Sequence, residues 1–251
     1  MQTTRQVFNS QILAILILIY SLSAACAQEP KKLPNDIKWM TKSIEYSAIC
    51  MQTYRNAWQA VKDAAESQTQ NWVVVLDIDE TVLDNSPYAI QLYENSKPFT
   101  EESWAKWVYR EEAALVPGAK AFIDSVRTLG PKAHIAYITN RLSEYDHATK
   151  QNLKKYGLFQ EDDILLARMG SEDTKENRRR CLETGTDRCK KNGPCVILAL
   201  VGDHIRDFVP VYGSKNVFQY WNNDLKEDTN WGKKYFMLPN PNYGAWQRDY
   251  R

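Results

Sequence analysis

Apolar residues recur every three or four positions from about residue 36 to residue 65. This spacing is typical of an amphipathic α-helix and predicts one long helix, whose apolar stripe packs against a core. The next pattern is different, because residues 72–76 form a continuous apolar run, most of it β-branched. A run of this kind predicts a central β-strand that is covered on both faces.

Helices and strands alternate in the second half of the chain. The predicted elements are a helix from Pro117 through Leu129 that Gly130 closes, a strand at Ala133 to Ile138, a helix from Tyr145 to Tyr156, a strand at Ile164 to Ala167 and a strand at Cys195 to Val201. Strands that alternate with helices form a parallel sheet through right-handed crossovers. The predicted fold class is therefore α/β, a Rossmann-like parallel sheet with helices on both faces.

Residues 84–116 interrupt this alternation and hold Trp104 and Trp107 among many charged residues. We interpret this segment as a small, mainly helical cap inserted into the sheet domain. The N-terminal helix, at about 36–67, is expected to pack beside the cap.

Composition limits the classes of function. The chain has 251 residues, 43% of them hydrophobic and 25% charged, which suits one large domain or a domain with a cap. The formal net charge is +1, so the totals give no support for a nucleic-acid polymer as partner. A small phosphate-bearing ligand is compatible with this charge.

The N-terminus has the pattern of an export signal. Arg5 precedes the apolar run Ile12 to Tyr20, and small residues follow through Ala27. The run is too short to cross a membrane, which takes roughly 20 apolar residues. We therefore predict a signal peptide at 1–27, a folded domain at 28–251, and a periplasmic or secreted protein.

Cys26 leaves two processing routes open. Cleavage after Ala27, the route we favour, releases a chain that begins at Gln28, whereas lipidation of Cys26 would anchor the protein to a membrane. The protein would contact a membrane only by the second route.

Either route places the other cysteines in an oxidising compartment, where disulfides persist. Three of them lie within fifteen residues, and we expect one disulfide among these three; the four cysteines are Cys50, Cys181, Cys189 and Cys195. The pairing cannot be derived from spacing alone. A zinc site is disfavoured, because no histidine lies nearby and no Cys-x-x-Cys spacing occurs.

Reactive residues follow three of the predicted strands. Ligand sites in open α/β sheets form outside the carboxyl ends of the strands. The segments at these ends are Asp77-Ile78-Asp79-Glu80-Thr81, Thr139-Asn140-Arg141 and Gly202-Asp203-His204-Ile205-Arg206-Asp207. Carboxylates that converge in this way repel one another unless a cation joins them, and Mg²⁺ prefers oxygen ligands together with water and phosphate. A magnesium site at this edge is predicted.

These residue types suit phosphoryl transfer. Asp77 can attack phosphorus as a nucleophile, and Asp79, two residues later, can act as the general acid and base. Thr139 and a lysine would hold the phosphoryl oxygens, and we assign Asn140 to substrate binding beside Thr139. Lys175 is the chosen lysine because it opens a predicted helix after Gly170.

Two motifs resemble signatures of a known family. Residues Val75 to Tyr88 resemble the first signature of the class C acid phosphatases, which belong to the haloacid dehalogenase (HAD) superfamily. Residues Gly202 to Phe208 resemble the second, with Ile205 where the family usually has Leu. Further similarity extends over nearly the whole chain after the predicted signal peptide.

The resemblance implies a HAD fold and a set of roles. It assigns the nucleophile to Asp77, the acid/base to Asp79 and phosphoryl binding to Thr139 and Lys175. It also implies that Mg²⁺ is held by the Asp77 side chain, the Asp79 backbone carbonyl and Asp203, and that Asp207 supports the site. Members typically hydrolyse small phosphate esters such as 5′-nucleotides and aromatic phosphates, and many are outer-membrane lipoproteins.

Two other functions remain as alternatives. The first is a phosphotransferase of the same superfamily, which passes the phosphoryl group to an alcohol instead of water. The second is a non-catalytic surface binding protein built on this scaffold. A homodimer is a further expectation that the sequence leaves open.

Overall fold

A parallel sheet lies at the centre of the protein. The computed structural model describes residues 31–210, 217–244 and 246–249. The sheet strands are β1 (Trp72–Leu76), β4 (Ala133–Leu142), β5 (Ile164–Arg168), β6 (Val196–Gly202) and β7 (Tyr235–Met237). They are ordered β5-β4-β1-β6-β7, and every neighbouring pair is parallel. The predicted α/β class is confirmed.

Helices connect the strands. They are α1 (Asn35–Lys42), α2 (Ile44–Ala65), α3 (Ser86–Glu94), α4 (Glu101–Val108), α5 (Ala119–Arg127), α6 (Asp146–Lys155) and α7 (Lys175–Thr184). Shorter helical segments cover Val217–Tyr220, Trp221–Leu225 and Trp246–Asp249. Among the described residues, no helix is both long enough and apolar enough to cross a membrane.

Strand β1 explains why the 72–76 run is apolar throughout. Successive side chains of a strand point to opposite faces of the sheet. Val74 and Leu76 belong to the core cluster that contains residues of α2 and α5, whereas Val73 and Val75 belong to the cluster that contains residues of α7. Both faces of β1 are thus buried, and β1 is fixed in the middle of the sheet.

The predicted long helix is interrupted at Ser43, so the prediction of one helix was wrong. Ser43 has extended backbone angles (φ −87°, ψ 142°) and its side chain accepts a hydrogen bond from the Tyr46 N–H. A serine in this geometry is an N-cap, and it starts α2 as a separate helix. The apolar period continues across the break because both helices bury one face.

Strand β4 is longer than predicted. Pairing with β5 is irregular after Ile138 and resumes at Leu142, which pairs with Arg168. Thr139, Asn140 and Arg141 therefore lie in the last part of β4 and not in a loop after it. These three polar residues lie at the carboxyl edge of the sheet, where the site forms. Strand β7, which has three residues, was not predicted.

Residues 84–116 contain α3 and α4 between two short strands. The strands, β2 (Leu83–Asp84) and β3 (Ala114–Leu115), pair antiparallel at the base of the segment. Tyr88 packs against Phe99, Trp104 and Trp107. Helix α1 also contacts α3.

Cys181 and Cys189 form a disulfide, which bears out the expectation of one bridge among three cysteines. Cys50 and Cys195 are free and buried. The predicted signal peptide at 1–27 and its Cys26 lie outside the described residues.

Candidate active site

The candidate site forms at the carboxyl edge of the sheet, where β1 lies between β4 and β6. Leu76 pairs with Tyr137 on β4 and with Val201 on β6. Asp77, Thr139 and Asp203 each come shortly after these paired residues, so the strand register brings them to one place. In open α/β sheets, ligands bind in the crevice outside the carboxyl ends of the strands, which is where these three residues lie.

Lys175 joins two of the predicted aspartates. Its ammonium donates to the Asp77 carboxylate and, at 2.6 Å, to Oδ1 of Asp207. The lysine side chain is 8% exposed. It is the first residue of α7, whose N-cap Thr174 accepts a hydrogen bond from the Asn177 N–H. The cap fixes the start of the helix and therefore the backbone position from which the Lys175 side chain extends.

Thr81 and Tyr54 hold the loop that follows β1. The Thr81 hydroxyl lies 3.5 Å from Oδ2 of Asp77 and 3.3 Å from Oδ1 of Asp203. The backbone carbonyl of Thr81 accepts a hydrogen bond of 2.6 Å from the Tyr54 hydroxyl. Helix α2, which carries Tyr54, therefore supports the loop after β1. No functional role was predicted for this helix.

The turn after β6 places Asp203 and Asp207 on one side of the cluster. The His204 N–H donates to Oδ2 of Asp207 at 2.9 Å. A side chain at Gly202 would meet the Asp207 carboxylate, with a Cβ only 2.5 Å from that of Asp207. Asn240, which the sequence analysis missed, donates from Nδ2 to Oδ2 of Asp203 at 2.8 Å.

Burial gives these carboxylates unusual proton affinities. Burial raises the pKa of Asp77 well above its usual range; Lys175 opposes this rise, and the carboxylates of Asp207 and Asp203 add to it. Burial, aided by Asp207, also raises the pKa of Asp203 to about 6. Both pKa values rise because the ionised carboxylates would lie where water solvates them poorly.

This arrangement fits a divalent cation. Oxygens of Asp77, Asp203 and Asp207 all lie within 4.8 Å of one another. Lys175 pairs with Asp77 and Asp207, and Arg141 pairs with Asp79. Carboxylates crowded together in a poorly hydrated place repel one another, and a hard divalent ion with oxygen ligands offsets that repulsion.

Arg141 was missed by the sequence analysis. Its guanidinium is buried and pairs with the Asp79 carboxylate, with Nη2 to Oδ1 at 2.7 Å. Thr139 and Arg141 are both buried, whereas Asn140 between them is exposed. A signal for this was present, because successive side chains of a strand point to opposite faces of the sheet.

The predicted phosphoryl binders are placed differently from one another. Thr139 is fully buried at the site edge, and its hydroxyl accepts a hydrogen bond of 3.1 Å from the Arg141 N–H. Asn140 is exposed, and its Oδ1 accepts from Nη2 of Arg178 at 3.3 Å. The roles of Thr139 and Asn140 remain predictions.

Arg178 is a second buried arginine that the sequence analysis did not assign. It is 1% exposed and donates to the backbone carbonyls of Thr139, Leu166 at 3.0 Å and Asp173 at 3.1 Å. It therefore ties α7 to the ends of β4 and β5. The run Arg178-Arg179-Arg180 gave no indication of which arginine points inward.

Comparisons with known proteins indicate the family. A family model described as HAD superfamily, subfamily IIIB (Acid phosphatase), matches residues 13–246. The crystal structure of a class C acid phosphatase from Bacillus anthracis with tungstate bound is similar, with a TM-score of 0.72 and 28% identity, over 86% of this chain and 88% of that chain. A second structure of the Bacillus anthracis class C acid phosphatase has a TM-score of 0.71 and 26% identity over the same shares.

A curated plant protein shows a shorter similarity. The stem 31 kDa glycoprotein of Glycine max is 28% identical over 109 residues, which is 43% of this chain and 42% of that protein. The match thus spans less than half the length of this relative.

Proposed function

This chain belongs to subfamily IIIB of the HAD superfamily, the acid phosphatases, and we propose that it is a Mg²⁺-dependent phosphomonoesterase that uses Asp77 as nucleophile. The observation that supports this most strongly is the surroundings of Asp77. One carboxylate oxygen contacts Lys175, and the other faces Thr81 beside Asp203. An anion held between a lysine and a candidate cation site is placed to meet a phosphoryl group.

The reaction has two steps. An Asp77 oxygen attacks phosphorus, and the bond to the ester oxygen breaks while Asp79 donates a proton to the departing alcohol. Asp79 then takes a proton from water, the water oxygen attacks the aspartyl-phosphate, and inorganic phosphate leaves with the Asp77 carboxylate restored. Asp79 thus acts once as an acid and once as a base.

Other residues bind the phosphoryl group and the metal. Thr139 and Lys175 would hold the phosphoryl oxygens, with Asn140 beside them. The Asp77 and Asp203 side chains and the Asp79 backbone carbonyl would hold Mg²⁺, supported by Asp207. When bound, the ion neutralises charge on the transferring group. The Bacillus anthracis enzyme carries tungstate, an oxyanion like phosphate, and we infer that an oxyanion binds at this edge here too.

The proposed substrates are small phosphate esters, including 5′-nucleotides and aryl phosphates, and not nucleic-acid polymers. The near-neutral net charge of +1 supports this restriction. The N-terminal pattern supports export to the periplasm or the medium, with membrane anchoring only if Cys26 is lipidated. A homodimer remains a proposal.

Hydrolysis of p-nitrophenyl phosphate with and without a chelator tests the proposed function. Activity should vanish with the chelator and return with Mg²⁺, because without the ion the crowded carboxylates repel the phosphate dianion. Asp77→Asn should abolish turnover, since it removes the attacking oxygen at nearly constant volume. Asp124→Asn is the matched control: this exposed aspartate pairs with Lys120 and should leave the rate unchanged.

Two results would contradict the proposal. Full activity after exhaustive chelation would indicate a metal-free phosphatase, and parental activity in folded Asp77→Asn would remove the nucleophile. Product analysis in the presence of an alcohol shows whether water or the alcohol accepts the phosphoryl group.

A further inference from the structure

The Asp79 carboxylate is held by two side chains. Arg141 donates to it from Nε, at 3.0 and 3.2 Å to the two oxygens, and from Nη2 at 2.7 Å. Asn85 donates from Nδ2 to Oδ1 at 2.9 Å. The Asp79 side chain is 18% exposed, whereas that of Arg141 is 1% exposed. Its position is therefore set from the buried side, and its open side faces solvent.

Arg141 is itself fixed by further contacts. Its Nη1 donates to the Thr149 hydroxyl at 3.2 Å, and its Cζ lies 5.5 Å from the ring centroid of Trp104. The planar guanidinium therefore presents its edge to Asp79 in one orientation. A lysine at this position would supply the charge without the fixed fork of donors.

Asn85 is fixed by the cap segment. The indole Nε1 of Trp107, on α4, donates to Oδ1 of Asn85 at 2.8 Å. The Asn85 N–H also donates to the buried Glu80 carboxylate at 2.8 Å. An indole nitrogen can only donate, so it sets the amide orientation: the oxygen faces Trp107 and the nitrogen faces Asp79. The hydrogen bonds run without a gap from α4 to the Asp79 carboxylate.

We propose that Arg141 and Asn85 are positioning residues for the general acid Asp79, and that Trp107 sets the position of Asn85. The segment 84–116 thereby orients the group that protonates the leaving alcohol. This inference rests on the proposed function. Arg141, Asn85 and Trp107 act through Asp79.

The inference predicts a dependence on the leaving group. A misplaced acid matters little when the departing oxygen is a stable anion and matters greatly when that oxygen needs a proton in the transition state. Phenyl phosphate and p-nitrophenyl phosphate have nearly the same shape, but phenol is the poorer leaving group. Their comparison separates proton donation from binding.

The experiment measures kcat/KM for both esters in the parent, Arg141→Lys, Trp107→Phe and, as the reference, Asp79→Asn. Arg141→Lys should lose about tenfold more activity on phenyl phosphate than on p-nitrophenyl phosphate, as should Asp79→Asn. Trp107→Phe, which keeps the aromatic ring but removes the donor, should show the same preference at about threefold. Trp58→Phe, a half-buried tryptophan of α2, is the matched control and should change neither rate.

A second readout separates positioning from a structural role. Guanidinium ion at millimolar, non-denaturing concentration should partly restore Arg141→Ala, more on phenyl phosphate than on p-nitrophenyl phosphate, and sodium ion should not. A thermal melt of each variant shows whether it is folded. If the Arg141 variants are not folded, the ratio of the losses on the two esters in Trp107→Phe tests the inference.

The outcomes distinguish the inference from the proposed function. Equal losses on both esters in folded Arg141→Lys and Trp107→Phe would overturn the inference, while turnover by the parent and its loss in Asp77→Asn would leave the phosphatase function in place. Failure of the parent to hydrolyse either ester would overturn both.

Discussion

Asp77 and Asp79 stand two residues apart, yet different regions of the protein hold them. Asp77 is buried and contacts Lys175, the first residue of α7. Asp79 is partly open to solvent and contacts Arg141, whose guanidinium lies over the ring of Trp104 on α4. We call these the lysine side and the arginine side of the site.

The difference separates two tasks. The lysine side belongs to the sheet, to α7 and to the turn after β6, so it can hold charge in a fixed, poorly hydrated place. The arginine side reaches into residues 84–116, which lie outside the strand-helix alternation. Changes in that segment are therefore expected to alter how leaving groups are handled, while the nucleophile keeps its surroundings.

Loss of the lysine should have the largest effect. Lys175→Met leaves Asp77 and Asp207 facing each other without their shared cation and removes the proposed binder of the phosphoryl oxygens. We expect kcat/KM to fall about a thousandfold, or ~4 kcal/mol, with every ester alike. Lys190→Met, an exposed lysine of a nearby loop, is the control. A loss that depended strongly on the leaving group would break the division between the two sides.

The anchor of α7 should matter next, through stability. Arg178→Ala removes donors from buried carbonyls at the ends of β4 and β5, and we expect the free energy of unfolding to fall by about 3 kcal/mol. Arg180→Ala, two residues along on the exposed face of the same helix, should change it by less than about 0.5 kcal/mol. Denaturant titration of the two variants measures the contrast, and equal values would show that Arg178 is not the anchor.

Metal binding should respond more weakly to Asn240. Asn240→Ala removes the hydrogen bond that orients Asp203, and the affinity for Mg²⁺ should fall about tenfold, or ~1.4 kcal/mol. Calorimetric titration with Mg²⁺ measures this without substrate. Asn95→Ala, an exposed residue after α3, is the control. Unchanged affinity would show that the C-terminal segment does not support the lysine side.

Much of the lysine side could be predicted from the sequence, and little of the arginine side could. β1 has the predicted bounds, 72–76, because a strand buried on both faces leaves an unbroken apolar run. Asp77, Asp203 and Lys175 follow from strand ends and a helix start, which local patterns reveal. Arg141 was within reach of the period of two along β4, but no role was predicted for it.

The contact of Asn85 with Trp107 was out of reach. The two residues are separated by 22 positions, and their hydrogen bond depends on how α4 folds back over the loop after β1. The break at Ser43 shows the same limit on a smaller scale, because one side-chain cap divides a helix whose apolar period continues across it. Periodicity indicates which face is buried, but not which polar atoms meet.

The most direct test of the account is to trap the covalent intermediate. Asp79→Asn should slow the attack of water, so phosphoenzyme should accumulate when a good leaving group is used. Rapid quenching followed by borohydride converts an aspartyl-phosphate into homoserine, which mass spectrometry can assign to a position. The account predicts homoserine at position 77. Phosphate on any other side chain, or a complete single turnover by the parent with no phosphate on the chain at any time, would contradict it.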